Sequence, residues 1–150
     1  MIIAIDPGKI SGIAVYDGSS QFRTYEHDVQ STIRFVDNVW HQLHGDIEVV
    51  TEKFTISERT LKTALSLDAL DINGWLVIES QRRDFPLKIQ TPAQAKSFST
   101  DDKLKALGWY NPTLDGHAND AARHLLVYLI TQVPAVREIL VPQLAKALLT

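Results

Sequence analysis

The chain has 150 residues, 45% of them apolar, and its 15 Lys and Arg against 18 Asp and Glu give a formal charge of −3; this size and composition predict one domain, residues 1–150, with a substantial core. The absence of cysteine excludes a disulfide framework and a thiolate metal site, and no apolar stretch is long enough for a membrane span, so we expect a cytoplasmic protein without a signal peptide. The slightly acidic balance excludes a uniformly basic surface, so a nucleic-acid partner would require local clusters of basic residues.

The first predicted elements form an antiparallel meander. Residues 1–5 are apolar throughout, which predicts a strand covered on both faces, and this strand ends at Asp6 before a Pro-Gly dipeptide. Two further strands are predicted over 12–16 and 21–27, and an Asp-Gly turn follows the first of them. We therefore expect three antiparallel strands, with the first strand buried.

A crossover helix follows the meander. Ser31 is expected to cap this helix, apolar residues recur at helical spacing after it, and Gly45 is expected to end it. The strand predicted over 47–51 ends on Glu52. A strand, a helix and a further strand in this order predict that the later strand runs parallel to the first.

The second half of the chain is predicted to be mainly helical. The predicted elements are a helix over 60–75 with Asn73-Gly74 as a candidate break, a polar loop over 81–84, a strand over 87–90, a helix from Thr91-Pro92, helices over 101–107 and 117–131, and a last helix after Pro134 with Pro142 inside it or at a bend. The expected fold class is α/β: a mixed sheet of three antiparallel strands followed by parallel strands, flanked by helices.

Two carboxylates lie at the carboxyl ends of predicted parallel strands. Asp6 ends the first strand and Glu52 ends the strand predicted to run parallel to it. If these strands are neighbours, both side chains project into the crevice where α/β sheets bind ligands. Each residue also has a structural explanation, since Asp6 is a turn former before Pro-Gly and Glu52 is the first polar residue after a strand. Their equivalent positions favour a functional role.

The segment GHANDAARHLLVYL supplies a third group of polar residues. His117, Asp120 and His124 are spaced to lie on one face of a helix, whereas Asn119 and Arg123 are expected to point away from that face. Small alanines in the segment would let the helix pack closely against a sheet. The alternative is a simple helix start in which Asp120 is favoured by the positive end of the helix dipole.

Together these residues predict an oxygen-rich metal site. Asp6, Glu52, Asp120 and His117 would supply carboxylate oxygens and one imidazole, a set suited to Mg²⁺, with Mn²⁺ as a substitute. Several carboxylates crowded together are unfavourable without a cation. A pair of divalent ions roughly 4 Å apart would offset this charge and polarise a phosphodiester for attack by water.

Three segments in this order, IIAIDPGKISGIAVYD, VVTEKF and HANDAARHLL, resemble the RuvC group of Holliday-junction resolvases, and more closely the short RuvC-like nucleases of bacteriophages. The resemblance extends from Met1 to about Gln132. It implies an RNase H-like fold, two Mg²⁺ ions, a homodimer, and paired nicks in four-way DNA junctions inside a bacterial or phage-infected cell. By position it implies that Asp6, Glu52 and Asp120 are catalytic, metal-binding acids and that His117 is a further ligand or proton carrier.

The resemblance also implies residues that contact branched DNA. Lysines near the scissile phosphate and an aromatic side chain at the junction are expected, and a polar loop adds an arginine pair; the candidates are Lys53, Phe54, Arg82, Arg83, Lys96 and Lys103. The alternatives are a solvated surface for the basic residues and a core position for the aromatic ring. The helix predicted from Thr60 is the candidate dimer interface because its apolar surface is large.

Two other functions remain open from the sequence. The segment DPGKISG also fits the phosphate loop of actin-like ATP-binding phosphotransferases, but those proteins use two such domains to enclose ATP. A second alternative is a non-catalytic module that binds branched DNA. A site without catalytic use would have no reason to retain such crowded charges, which favours the nuclease.

Overall fold

The computed structural model describes residues 1–19, 21–54 and 67–149. Its strands are β1 (Ile2–Asp6), β2 (Ile10–Tyr16), β3 (Phe22–Asp28), β4 (Glu48–Glu52) and β5 (Leu87–Gln90). The helices within these described ranges are α1 (Val29–Gln42), α2 (Asp68–Arg83), α3 (Pro92–Phe98), α4 (Asp101–Ala106), α5 (His117–Gln132) and α6 (Pro134–Leu148).

The strands form one mixed sheet in the order β3-β2-β1-β4-β5. Strand β2 is antiparallel to both β1 and β3, whereas β4 is parallel to both β1 and β5. Ile5 pairs with Thr51 across β1 and β4, so Asp6 and Glu52 end these strands at the same edge of the sheet. The predicted fold class, three antiparallel strands followed by parallel strands with flanking helices, is confirmed.

Helices cover both faces of the sheet, which explains why β1 is apolar at every position before Asp6. Ala4 faces the core on the α5 side together with Leu125, whereas Ile3 and Ile5 face the opposite core with Ile72 of α2. Each of these side chains is fully buried. Full burial of a large aliphatic side chain contributes roughly 2 kcal/mol, so a two-sided β1 is a rigid support for the residue at its end.

Helix α5 packs unusually close to the sheet because of small residues on both sides. A Cβ atom added to Gly12 of β2 would lie 1.8 Å from the carbonyl oxygen of His117, so the start of the helix rests on a position that only glycine can occupy. On the helix side, Ala118, Ala121 and Ala122 are fully buried. This contact places the first turn of α5 beside the carboxyl end of β1.

Two helix boundaries differ from their predicted positions. The cap of α1 is Asp28, whose side chain accepts the Ser31 backbone N–H at 2.7 Å, so the helix begins earlier than the predicted Ser31 cap. Helix α2 continues through Gly74 to Arg83, and the predicted break and the predicted 81–84 loop are wrong. The buried side chains Ile72, Leu76 and Glu79 continue on one face across the glycine, and this packing outweighs the local turn signal.

The remaining helix predictions have different outcomes. Residues 60–66 of the predicted 60–75 helix lie outside them. The Thr91 cap is confirmed, since Thr91 and Gln94 form a reciprocal capping box at the start of α3. Pro142 lies inside α6.

In the described part of the chain, no single helix is long and apolar enough to span a membrane. Helices α5 and α6 meet these criteria only when taken together, and they are bent by 116° relative to each other.

Candidate active site

The end of β4 is fastened to α2, which fixes the backbone of Glu52. The Thr51 hydroxyl donates to Asn73 Oδ1 at 2.7 Å, and Asn73 Nδ2 donates to the Glu52 carbonyl oxygen at 3.0 Å. Asn73 therefore supports the site. Its Asn-Gly sequence had suggested a break in the helix, but the helix continues through it.

Asp6 is a mostly buried carboxylate that faces other carboxylates. Its side chain is 13% exposed, and its Oδ2 atom lies 3.1 Å from His117 Nδ1. Burial, the largest cause, and the negative charges of Glu52 and Asp120 together raise the pKa of Asp6 to about 6, although the hydrogen bond with His117 opposes them. The geometry agrees with this influence, because Asp6 and Glu52 end neighbouring parallel strands and Asp120 lies one helical turn after His117, which contacts Asp6.

Glu26 of β3 caps the helix that carries His117 and Asp120. Its Oε1 atom accepts the backbone N–H of Ala118 at 3.1 Å, and its Oε2 atom accepts that of Asp115 at 3.1 Å. The residue before α5 is Gly116, with φ of 107° and no side chain to act as a cap. Glu26 takes over this role from across the sheet, and its negative charge is favourable at a helix N-terminus.

Neither Glu26 nor Gly12 was predicted from the sequence to be a functional position. The sheet register pairs these two residues with each other, so both lie under the start of α5. Glu26 caps the helix, and Gly12 leaves room for its first turn. A helix preceded by glycine without a capping side chain is the signal that a partner from elsewhere was needed.

Basic side chains surround Asp120. Arg123 donates from Nη1 to Asp120 Oδ1 and from Nη2 to Asp101 Oδ1, and Lys96 Nζ lies 3.6 Å from Asp120 Oδ2. The expectation that Arg123 points away from the face of Asp120 is wrong, because residues three apart on a helix are neighbours. Asp120 is thus ion-paired within the chain.

Glu52 contacts a buried histidine. Its Oε2 atom lies 2.7 Å from Nε2 of His124, whose Nδ1 atom lies 2.8 Å from Oε1 of Gln90. The spacing had placed His124 on the face of His117 and Asp120. It is on the same helix but contacts a different carboxylate.

An open pocket of about 290 Å³ lies beside the start of α5. His117, Asp120 and Arg123 line it together with Tyr110, whose loop is fastened to α5 by hydrogen bonds between Asn111 and Asn119 at 2.8 Å. Asp6 and Glu52 are not among the lining residues, so of the three candidate acids the pocket borders Asp120.

The donor set fits a hard divalent cation, but the side chains are not arranged around one. Among the residues that the structure describes, no group of three His, Asp or Glu side chains is disposed to hold a metal ion. Instead each carboxylate pairs with a basic partner: Asp6 with His117, Glu52 with His124 and Asp120 with Arg123. Carboxylates and an imidazole are ligands that suit Mg²⁺ or Mn²⁺. After burial, the charges of Glu52 and Asp120 also raise the pKa of Asp6, and a bound cation would offset those charges.

The predicted DNA-contacting residues fall in different parts of the molecule. Lys96 is beside Asp120, and exposed Lys53 directly follows Glu52. Phe54 is partly buried at the end of a described range. Lys103 donates to the Phe98 carbonyl oxygen at 2.6 Å and lies 4.1 Å from the centre of the Phe98 ring.

Arg82 and Arg83 lie at the opposite end of the sheet from the carboxylates. Helix α2 begins near Glu52 and descends to the turn before β5, so its last residues reach the amino end of that strand. Arg83 pairs with Asp37 at 2.6 Å and stacks 4.7 Å from the Trp40 ring centre, and Arg82 pairs with Glu79 at 2.9 Å. The structure does not bring this arginine pair to the candidate site.

Comparisons with known proteins identify the fold. No protein-family model matches the sequence, and no curated protein matches it significantly. Two solved structures of Thermus thermophilus RuvC are similar: one in complex with a Holliday junction substrate, at TM-score 0.59 over 85% of this chain and 90% of that chain, and one at TM-score 0.57 over 85% and 92%. Both are 15% identical in sequence. The chain therefore has a RuvC-like fold, within the RNase H-like α/β class.

Proposed function

We propose that the chain is a divalent-metal-dependent endonuclease that cuts branched DNA, with Holliday junctions as its main substrate. The observation that carries the proposal is the convergence of Asp6, Glu52 and Asp120 at the carboxyl ends of β1 and β4, where the mutual charge helps raise the pKa of Asp6. Support also comes from the fold, since one similar structure is a RuvC in complex with a Holliday junction substrate.

The proposed catalytic residues are Asp6, Glu52, His117 and Asp120. The three carboxylates would hold Mg²⁺ or Mn²⁺, and His117 would act as a further ligand or a proton carrier. Bound divalent cations polarise a phosphodiester and lower the pKa of bound water. The chain's own contribution is to fix Asp6 on a rigid strand and to present Asp120 on a helix whose start is held by Gly12 and Glu26. Arg123 would keep Asp120 neutralised until a cation takes its place.

Contacts to DNA would be made mainly to phosphates near the site. Lys96 is suited to this role because its side chain is 60% exposed and its Nζ atom is 3.6 Å from Asp120 Oδ2. Lys53 follows Glu52 at the same edge of the sheet, and Phe54 next to it would offer a ring for base stacking. Phosphate contacts position a duplex and carry no sequence information, so selectivity would come from branch shape.

The proposal includes a homodimer formed through α2. Leu70, Val77 and Ile78 fall on one stripe of this helix, and their side chains are 41%, 37% and 63% exposed. An exposed apolar stripe of this kind is typical of an interaction surface. A symmetric dimer would present two sites to the two equivalent strands of a four-way junction.

The proposal also places the chain with the phage-type RuvC-like nucleases, acting in the cytoplasm of a bacterial or infected cell. Its support is the order of the three sequence segments that resemble that subgroup, together with the fold.

The experiment is a cleavage panel. Labelled four-way junctions, flaps, forks and linear duplexes are incubated with the protein in Mg²⁺, Mn²⁺ or EDTA. Metal-dependent cutting of branched substrates, with four-way junctions cut fastest and linear duplex spared, supports the proposal. Protection from heat unfolding by ATP, with no cutting of any DNA, would instead favour an actin-like nucleotide-binding module. Binding of junctions without cutting in either metal would favour a non-catalytic module.

A further inference from the structure

His124 is a polar side chain inside the core, directly behind the candidate active site. It is 1% exposed and lies on α5, four residues after Asp120. Both ring nitrogens have partners: Nε2 is 2.7 Å from Glu52 Oε2, and Nδ1 is 2.8 Å from Gln90 Oε1. A buried imidazole needs such partners, because an unsatisfied polar group in the core is strongly unfavourable.

The two partners lie on adjacent strands at the same height. Glu52 and Gln90 are paired across β4 and β5, and Gln90 is itself 5% exposed. His124 therefore spans from α5 to the ends of both strands. The carboxylate of Glu52 accepts a hydrogen bond from the Nε2–H group, and the side-chain amide of Gln90 can pair with Nδ1 in either amide orientation. The ring has little freedom to rotate away.

We propose that His124 is a positioning residue that holds the Glu52 carboxylate in the orientation required for cation binding. The inference rests on the proposed function, since it assumes that Glu52 is a metal ligand. His124 contacts only the Oε2 atom of Glu52, and no hydrogen bond joins Oε1 to another residue that the structure describes, so Oε1 would face the cation. Helix α5 would thus present Asp120 as a ligand and, one turn further on, fix the orientation of a second ligand.

Core filling alone does not explain a histidine here. The surrounding α5 residues Leu125 and Ala121 are fully buried and apolar, and an apolar side chain would fill the same space without requiring a partner on each strand. His124 instead forms hydrogen bonds with Gln90 and with Glu52, which is an acid of the candidate site. Groups that orient metal ligands in this way typically change metal affinity by about 10–100-fold when removed.

The test compares three substitutions of matched design. The side-chain nitrogen of glutamine can take the place of Nε2, so His124→Gln keeps the donor to Glu52. In His124→Asn the shorter amide takes the place of Nδ1 and leaves Glu52 without its partner. His124→Phe keeps the ring volume and loses both contacts. Mn²⁺ binding to the DNA-free protein is measured by calorimetry, with Glu52→Gln as the reference for loss of the ligand itself.

We expect His124→Phe and His124→Asn to weaken Mn²⁺ binding by about 10–100-fold and His124→Gln to stay within about threefold of the wild type. With four-way junction as substrate, kcat at fixed Mn²⁺ should fall in the first two variants while KM for DNA is unchanged. Thermal unfolding of each variant without metal measures any loss of stability. A loss of stability alone would not leave Mn²⁺ affinity normal in His124→Gln and weaken it in His124→Asn.

Two results would overturn the inference in distinguishable ways. If Glu52→Gln binds Mn²⁺ less well but His124→Phe and His124→Asn bind it normally, His124 does not position the ligand, and the proposed function stands. If Glu52→Gln binds Mn²⁺ as well as the wild type, Glu52 is not a ligand, and the ligand assignment fails together with the inference. Should His124→Phe not fold, equal affinities of the Gln and Asn variants would overturn it.

Discussion

Gly12 and His117 are in direct contact through their backbones: any Cβ at Gly12 would lie 1.8 Å from the His117 carbonyl oxygen and 2.7 Å from the Ala118 nitrogen. The contact joins the strand next to β1 to the first turn of α5. The position of His117 and Asp120 relative to Asp6 therefore depends on the absence of a side chain at Gly12.

Gly12→Ala should displace α5 and lower both stability and activity. The added methyl group meets backbone atoms, which cannot rotate away, so we expect a loss of about 1–3 kcal/mol in the free energy of unfolding. The matched control is Gly74→Ala in α2, where a new Cβ meets nothing within 4 Å; it should raise stability by about 0.5–1 kcal/mol. Urea unfolding of both variants measures these changes. A Gly12→Ala protein as stable as the wild type would contradict the contact.

Asp6→Asn should stabilise the protein at neutral pH. The pKa of Asp6 is raised from 3.8 to about 6 by burial and by Glu52, so between these pH values the folded chain holds a proton that the unfolded chain has released. The free energy of unfolding contributed by this group is therefore lost as pH rises through that window, by up to about 3 kcal/mol. Asparagine avoids the loss, so the variant should be more stable than the wild type at pH 7.

The pH series supplies the control for this prediction. Below pH 4 the wild-type carboxyl is protonated and the advantage of Asp6→Asn should disappear. Asp84→Asn, at an exposed left-handed position with φ of 55°, should show no such dependence. A destabilised Asp6→Asn protein at pH 7, measured by urea unfolding without metal, would show that the carboxylates do not repel one another.

Glu26→Ala should weaken the start of α5. It removes the acceptor for the Ala118 and Asp115 N–H groups, and loss of a helix cap costs about 1 kcal/mol. Glu26→Gln keeps one acceptor oxygen and should lose less. Exposed Glu138 of α6 provides the control, since Glu138→Ala should be nearly neutral. Equal stability of Glu26→Ala and Glu138→Ala in urea unfolding would remove the capping role.

Lys96→Ala should weaken junction binding and reduce its dependence on salt. If Lys96 contacts one phosphate, the slope of log affinity against log salt concentration should fall by about 0.9. Arg82→Ala is the matched control, because Arg82 is 65% exposed but lies at the far end of the sheet. Fluorescence anisotropy with a labelled four-way junction in Ca²⁺ measures both. An effect of Arg82→Ala as large as that of Lys96→Ala would mean that DNA also covers the opposite end.

The sheet could be predicted from the sequence because its signals are local. The uninterrupted apolar run before Asp6 reports a strand buried on two faces, and the strand–helix–strand order gives the parallel direction of β4. The same reasoning placed Asp6 and Glu52 at one edge. At Asn73-Gly74 the local signal was misleading, because the buried face of α2 continues through it.

The partners within the site could not be predicted, because they join residues far apart in the chain. Glu26 reaches α5 across the sheet, and His124 contacts Glu52 only once α5 has packed on β4 and β5. Arg83 lies at the end of a helix and stacks on Trp40. The polar residues next to it in the sequence had predicted a loop instead. Spacing shows which residues share a helix face, and packing of the other elements determines what that face meets.

The most direct test of the account is four-way junction cleavage by Asp6→Asn and Asp120→Asn, beside Asp84→Asn as the remote control. The account predicts that both site variants bind the junction with nearly wild-type affinity and cut it roughly a thousand-fold more slowly or worse in Mg²⁺, while the control cuts at the wild-type rate. Full-rate cleavage by either site variant would contradict the assignment of these carboxylates as the catalytic centre.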